Sequence, residues 1–338
     1  MKIDFLCSDG SPLGPTSKTV YGDDHRIGLG GAELAMITLC ETWHKLGHEV
    51  TLYNDPWELG ASPFEQRYIS QFDPKAKRDV LIIFRSPNPL AIVANGFKVW
   101  FSCDQYTIGD FKAFAPHAHK IVCISKFHQD YFRNTYQIAN TEVIDLPIRL
   151  DDLVVDEPIE KENRKCIFTS IPDRGLLELY DCWSTVKHHV PDVTLTITSD
   201  YRLWGVGENN YSHRVKWMLS ENVRFLGAIP RRDLIKEQLS SELLVYPCTY
   251  DELFCISVAE AQCCGIYTIT SDAGALPTTN MCKLIPREAP NLKSRFATAV
   301  IEALNTKVDV RDIKLKAFAR FEPDIIAQQW QEKIFKEI

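Results

Sequence analysis

Residues 250–279 read YDELFCISVAEAQCCGIYTITSDAGALPTT, and the order of residue types in this stretch decides the fold class. Glu252 precedes a helix-forming run, and Glu260 lies roughly two helical turns further on. A glycine break at Gly265, the β-branched run IYTIT and a small-residue turn from Asp272 to Leu276 follow. This order predicts loop, helix, strand and loop, with both loops opening at the same edge of a sheet. A carboxylate and the backbone N–H groups of a helix N-terminus can hold different parts of one polar, anionic ligand. Two solvent-exposed glutamates on a surface helix fit the same spacing.

The rest of the chain repeats that alternation. Strands are predicted at Ile3–Cys7, Glu49–Tyr53, Val80–Phe84, Phe97–Phe101, Lys120–Ser125 and Thr141–Leu146, with helices after residue 31 and over Lys126–Tyr136. The charged, proline-bearing run IRLDDLVVDEPIEKENRK suits a linker. Beyond it come strands at Cys166–Ser170, Val193–Thr198, Val223–Gly227 and Leu243–Pro247, separated by helical patterns. The fold class is therefore α/β, with parallel sheets covered on both faces. The reading divides the chain into 1–150, a linker at 151–164, a second domain at 165–315, and a C-terminal segment 316–338 carrying Trp330 and Phe335 that braces the first domain.

Composition narrows the function. With Lys+Arg 38 against Asp+Glu 45, the formal charge is -7, and the absence of a Lys/Arg stripe argues against nucleic acid as partner. The 11 cysteines are scattered and include no C-x-x-C pair, which predicts free thiols in a reducing compartment, packing roles and no zinc site. No apolar run reaches the roughly 20 residues of a membrane span, and no signal peptide is evident, so the reading places the chain in the cytoplasm. The Asn210 sequon carries no meaning there.

Gly28-Leu29-Gly30-Gly31-Ala32-Glu33 invites comparison with the dinucleotide fingerprint, but these glycines come about twenty residues after the first strand instead of directly after it. Gly30 and Gly31 read better either as a helix N-terminus approached closely by a ligand or as a turn-and-cap pair.

In order and spacing, GLGGAE at 28–33, SKFHQDYF at 125–132, SIPDRG at 170–175, RFLG at 224–227 and the E-x7-E of Glu252 and Glu260 resemble the large retaining nucleotide-sugar glycosyltransferase family, family 4. The DRG motif, with Trp183 in the following helix, looks like a subgroup. The resemblance implies two Rossmann-like domains facing across a cleft, the GT-B arrangement, with a last helix crossing back to the first domain. The implied reaction moves a hexose from a GDP- or UDP-sugar to a hydroxyl of a glycan, lipid-linked or glycoprotein acceptor, in a monomer or weak homodimer.

Residue by residue, the resemblance implies that Gly30 and Gly31 approach the diphosphate. Arg174 would bind it, an arginine where the family commonly has lysine, and Ser170 in the same motif would contact the nucleotide sugar. Gly227 and Ala228 would line the base pocket, Glu260 would take the ribose hydroxyls, and Glu252 would hold the transferred sugar. The N–H groups of Phe254, Cys255, Ala275 and Leu276 would complete the cradle. Three positions depart from the pattern: Thr169 stands where many members carry an arginine, Cys103 stands where the family keeps a histidine, and Thr278 replaces a glutamate. Asp104 then becomes the candidate for orienting sugar or acceptor. Arg174, Lys126 and helix-end N–H groups would answer leaving-group charge without a metal, since the adjacent acids Asp23-Asp24 and Asp151-Asp152 lie on loops. A sugar-nucleotide epimerase and a weakened sugar-nucleotide-binding protein stay open as alternatives.

Overall fold

The computed structural model describes residues 1–8, 14–21, 28–105, 109–204 and 211–338. Asp23, Asp24 and Asn210 lie outside them. The chain forms two compact units. The first comprises Met1–Val20, Leu29–Ile148 and Phe321–Ile338; the second is built on Arg149–Arg320. Residues 151–164, which read as a linker, thus cluster with the second unit.

In the first unit, seven parallel strands run in the order β3-β2-β1-β4-β5-β6-β7. They are β1 (Lys2–Leu6), β2 (Glu49–Tyr53), β3 (Glu65–Arg67), β4 (Val80–Phe84), β5 (Phe97–Phe101), β6 (Lys120–Cys123) and β7 (Thr141–Val143). All five residues of β4 are buried, as a central strand covered on both faces requires. The helix Gly31–Lys45 lays Leu34, Leu39 and Trp43 into the core. Against it packs the C-terminal helix Pro323–Lys333, whose buried Trp330 meets Trp43 edge-on at 5.2 Å and Phe101 at 5.2 Å. The C-terminal segment therefore belongs to the first unit, anchored further by Lys333, whose Nζ donates to the Val143 carbonyl at 2.7 Å.

The second unit holds six parallel strands in the order β10-β9-β8-β11-β12-β13. These are β8 (Lys165–Phe168), β9 (Thr194–Ile197), β10 (Val223–Phe225), β11 (Leu243–Tyr246), β12 (Tyr267–Ser271) and β13 (Lys283–Ile285). Strand order reverses between β8 and β11, because β8 leads outward to β9 and β11 leads the other way to β12. The connections leaving these two strands run to opposite sides of the reversal, and open α/β sheets bind ligands at the carboxyl edge of such a switch point. The corresponding reversal in the first sheet lies between β1 and β4.

Candidate active site

Two loops meet at the switch point of the second sheet. One leaves β8 as Thr169-Ser170-Ile171-Pro172-Asp173-Arg174-Gly175 and enters the helix Leu176–His189. The other leaves β11 and reaches Cys255, the N-cap of the helix Ile256–Cys263. Gly175 is the residue that lets them approach. Its φ is +106°, and an added Cβ would lie 2.7 Å from the Pro247 carbonyl oxygen of the other loop. Gly274, from the turn after β12, repeats the device at φ +59°, with its Cβ position 2.3 Å from the backbone oxygen of Glu252.

This packing brings Arg174 and Glu252 together. Arg174 Nη1 donates to Glu252 Oε1 at 2.9 Å and to Oε2 at 3.0 Å. The Tyr246 hydroxyl, at the end of β11, also donates to Glu252 Oε1, and it lies 3.2 Å from Ser170 Oγ. The Arg174 guanidinium sits over the Tyr250 ring at 4.6 Å. Burial opposes the charge on Arg174, but the Glu252 carboxylate outweighs it and drives the guanidinium pKa up. Burial, with the Glu252 charge behind it, likewise raises the Tyr246 phenol well above its ordinary value. The result is a cation, an anion and a protonated donor held in mutual contact at the switch point.

Other sequence-predicted residues fall around it. Phe254 and Cys255 form the entry to the helix Ile256–Cys263, with Cys255 in the left-handed region at φ 71°. Ala275 and Leu276 are fully buried. Their amides serve the loop itself: Ala275 N–H donates to the Glu252 carbonyl at 2.7 Å, and Leu276 N–H to Ala273 at 3.2 Å. These two amides fix Glu252 and the turn beneath it instead of forming an open cradle. Gly227 packs against buried Asp200, whose Oδ2 accepts from the Ala228 N–H at 3.0 Å. Glu260 is 5% exposed, with both carboxylate oxygens engaged: Arg231 Nη2 reaches Oε1 at 2.6 Å and Gln238 Nε2 reaches Oε2 at 3.1 Å.

Gly30, Gly31 and Asp104 lie in the first unit. Gly30 caps the helix Gly31–Lys45. Asp104 follows β5; its Oδ1 accepts from the Gln105 N–H at 2.7 Å, and its carbonyl lies 3.1 Å from Nε2 of buried His128. Lys126 is exposed on its helix and paired with Asp130 at 2.6 Å. Tyr246, Arg231 and Gln238, which hold Glu252 and Glu260, and His128, which meets the Asp104 carbonyl, had no assigned role from the sequence. Among the described residues, no group of three or more His, Cys, Asp or Glu side chains could hold a metal ion, and no helix is long and apolar enough to cross a membrane.

The two Rossmann-like units, with the C-terminal helix returned to the first, make this a GT-B fold. Solved structures agree over the whole chain. Sucrose-phosphate synthase from Thermosynechococcus elongatus superposes with a TM-score of 0.73 at 15% identity, covering 99% of this chain and 98% of that one. A glycosyltransferase from Rickettsia africae gives 0.72 at 15%, covering 99% and 98%. HepE from Anabaena, solved in complex with UDP-glucose, gives 0.69 at 19%, covering 99% and 100%. A family profile described as "Glycosyl transferases group 1" matches residues 175–281, from the glycine of the β8 loop to just past the E-x7-E helix and its following turn. No curated protein sequence matches significantly.

Proposed function

We propose that the chain is a retaining, metal-independent glycosyltransferase that moves a hexose from a nucleoside-diphosphate sugar to an acceptor hydroxyl. The observation that carries this reading is the Arg174–Glu252 pair at the switch point of the second sheet, inside or at the border of the glycosyltransferase match. The likeness to HepE, whose structure was solved with UDP-glucose, supports a UDP-sugar as the first donor to test.

In the proposed reaction the bond between the anomeric carbon and the diphosphate oxygen breaks, and its electron pair stays on the diphosphate. The acceptor oxygen bonds to the same face of that carbon, and its proton passes to the departing phosphate oxygen. Positive charge develops on the sugar ring and negative charge on the phosphate. Arg174 answers the phosphate with a planar fork of donors, of which Nη1 is committed to Glu252. Ser170, in the same loop, offers a hydroxyl to the diphosphate, and Phe254–Cys255 bring the helix N-terminus to it. Glu252 holds hydroxyls of the transferred sugar, where its negative charge also favours the cationic ring. Gly227 and Ala228 border the base, and Glu260 faces the ribose. From the first unit, Gly30 and Gly31 approach the diphosphate and Asp104 orients sugar or acceptor.

Calorimetric titration with a panel of UDP- and GDP-sugars in the presence of a chelator tests the reading. At least one should bind without metal, R174A should weaken it about tenfold or more, and product should retain the anomeric configuration. Absence of binding anywhere in the panel would overturn the proposal. Binding with no transfer to any acceptor would leave a binding protein in its place.

A further inference from the structure

Glu260 is held by a buried network that the E-x7-E spacing does not reveal. Its partners Arg231 and Gln238 sit seven residues apart, two turns of the helix Arg231–Leu239, and so point to the same side. The Nε of the same guanidinium donates to Asp152, which also has Arg149 Nε within 3.3 Å. The chain of charges Arg149, Asp152, Arg231 and Glu260 is balanced, and the side chains of the last three are no more than 6% exposed. Burial opposes the charge on Arg231, and the Glu260 and Asp152 carboxylates outweigh it, raising its pKa.

Such a network is a poor way to gain stability, since apolar side chains of similar volume commonly do as well or better. What it provides is orientation. Each carboxylate oxygen has two acceptor directions; one donor on each leaves the carboxylate two directions for hydroxyl groups. Arg231 also directly follows the loop Gly227-Ala228-Ile229-Pro230, which Asp200 pins at the Ala228 N–H. One residue therefore ties the loop assigned to the base to the carboxylate assigned to the ribose.

We propose that Arg231 is a positioning residue for nucleoside recognition: by fixing the Glu260 carboxylate it makes the site select a nucleotide with a ribose cis-diol. The inference rests on the reading that this unit binds a nucleoside diphosphate, and it adds a residue outside E-x7-E that sets the ribose preference. Arg231 touches no ligand in this account.

The test is a ratio. UDP and GDP are titrated into the full-length wild-type protein, and whichever binds is compared with its 2′,3′-dideoxy analogue. Wild type should prefer the ribonucleotide by about tenfold or more, the scale of a lost hydrogen bond to a charged group. In R231M the preference should fall to about twofold while the dideoxy affinity changes little. R231K keeps the charge but cannot reach Glu260 and Asp152 together, so it should show an intermediate ratio and decides the matter if R231M does not fold. Equal weakening of both nucleotides in R231M, or an unchanged ratio in R231K, would overturn the inference. Failure of wild type to bind UDP or GDP would strike the proposed function itself, before any ratio is measured.

Discussion

Replacing Tyr246 by Phe removes one oxygen atom from the centre of the proposed donor site. The ring is 1% exposed, so its packing between the strands is retained and no large cavity forms. What is lost is the donor to Glu252, whose side chain is 4% exposed and keeps only its Arg174 contact at 2.9 Å among the pairings described above. A hydrogen bond to a charged group contributes about 1.5–3 kcal/mol. Ser170, only partly buried, can turn to water and adds little to the cost. The variant should therefore unfold with a loss of about 2 kcal/mol in denaturant titration. Because the hydroxyl acts on the carboxylate assigned to the transferred sugar, kcat/KM for transfer should fall about tenfold while affinity for the nucleoside diphosphate alone stays within about twofold. A stability loss with unchanged transfer would refute the claim that the Glu252 orientation matters to catalysis. Equal loss of diphosphate affinity would mean that the sugar and phosphate subsites have been divided wrongly.

Two further outcomes follow from buried titratable groups. His128 is fully buried and its pKa is lowered to about 3, chiefly by burial, so its neutral ring joins the Ile124 N–H to the Asp104 carbonyl. A base with a depressed folded pKa costs stability as pH falls below its unfolded value, about 6.5, down through the folded one; wild type should lose about 2 kcal/mol between pH 7 and pH 5 that H128Q does not. In the alkaline direction, burial raises the thiols of Cys123, Cys166, Cys248, Cys264 and others, including Cys282. Raised folded pKa values mean that stability is intact below the unfolded thiol value of about 8.5 and declines above it, by up to about 1.4 kcal/mol per thiol per pH unit. Thiol labelling of the native protein at neutral pH should modify Cys103, which is only partly buried, well ahead of the fully enclosed cysteines; rapid labelling of Cys166 would contradict the burial.

Much of this architecture is legible in the chain because parallel strands buried on both faces are written as continuous apolar runs, such as VLIIF at 80–84 and LLVY at 243–246. The strand β3 is not, being three residues, EQR, at an exposed sheet edge with only Gln66 buried. The site divides along similar lines. Glu252 and Arg174 stand in loops at strand ends, Arg174 directly before Gly175, where residue type and position both speak. Tyr246 ends an apolar strand and reads as core; its hydroxyl announces itself only once Glu252 is seen above it. Arg231 opens a helix in PRRDL and looks like an ordinary solvated cation, and nothing local ties it to a carboxylate 29 residues away. Lys126, a cation after a strand, has in Asp130 a partner that the i,i+4 spacing of its own helix made legible.

Two of the places where the chain crosses between units lie side by side. Ile148, the last residue of the first passage, donates its N–H to the carbonyl of Phe321, the first residue of the return, at 2.9 Å. Residues 149–320 therefore leave and rejoin the first unit's chain at neighbouring positions. A gene that joins residue 148 to residue 321 through a short turn would close the first unit over its own Trp43–Trp330 core, and the excised 149–320 segment is already continuous. On the proposed function, residues 149–320 carry Arg174, Glu252 and Glu260 together, so exchanging this one contiguous segment replaces all three at once.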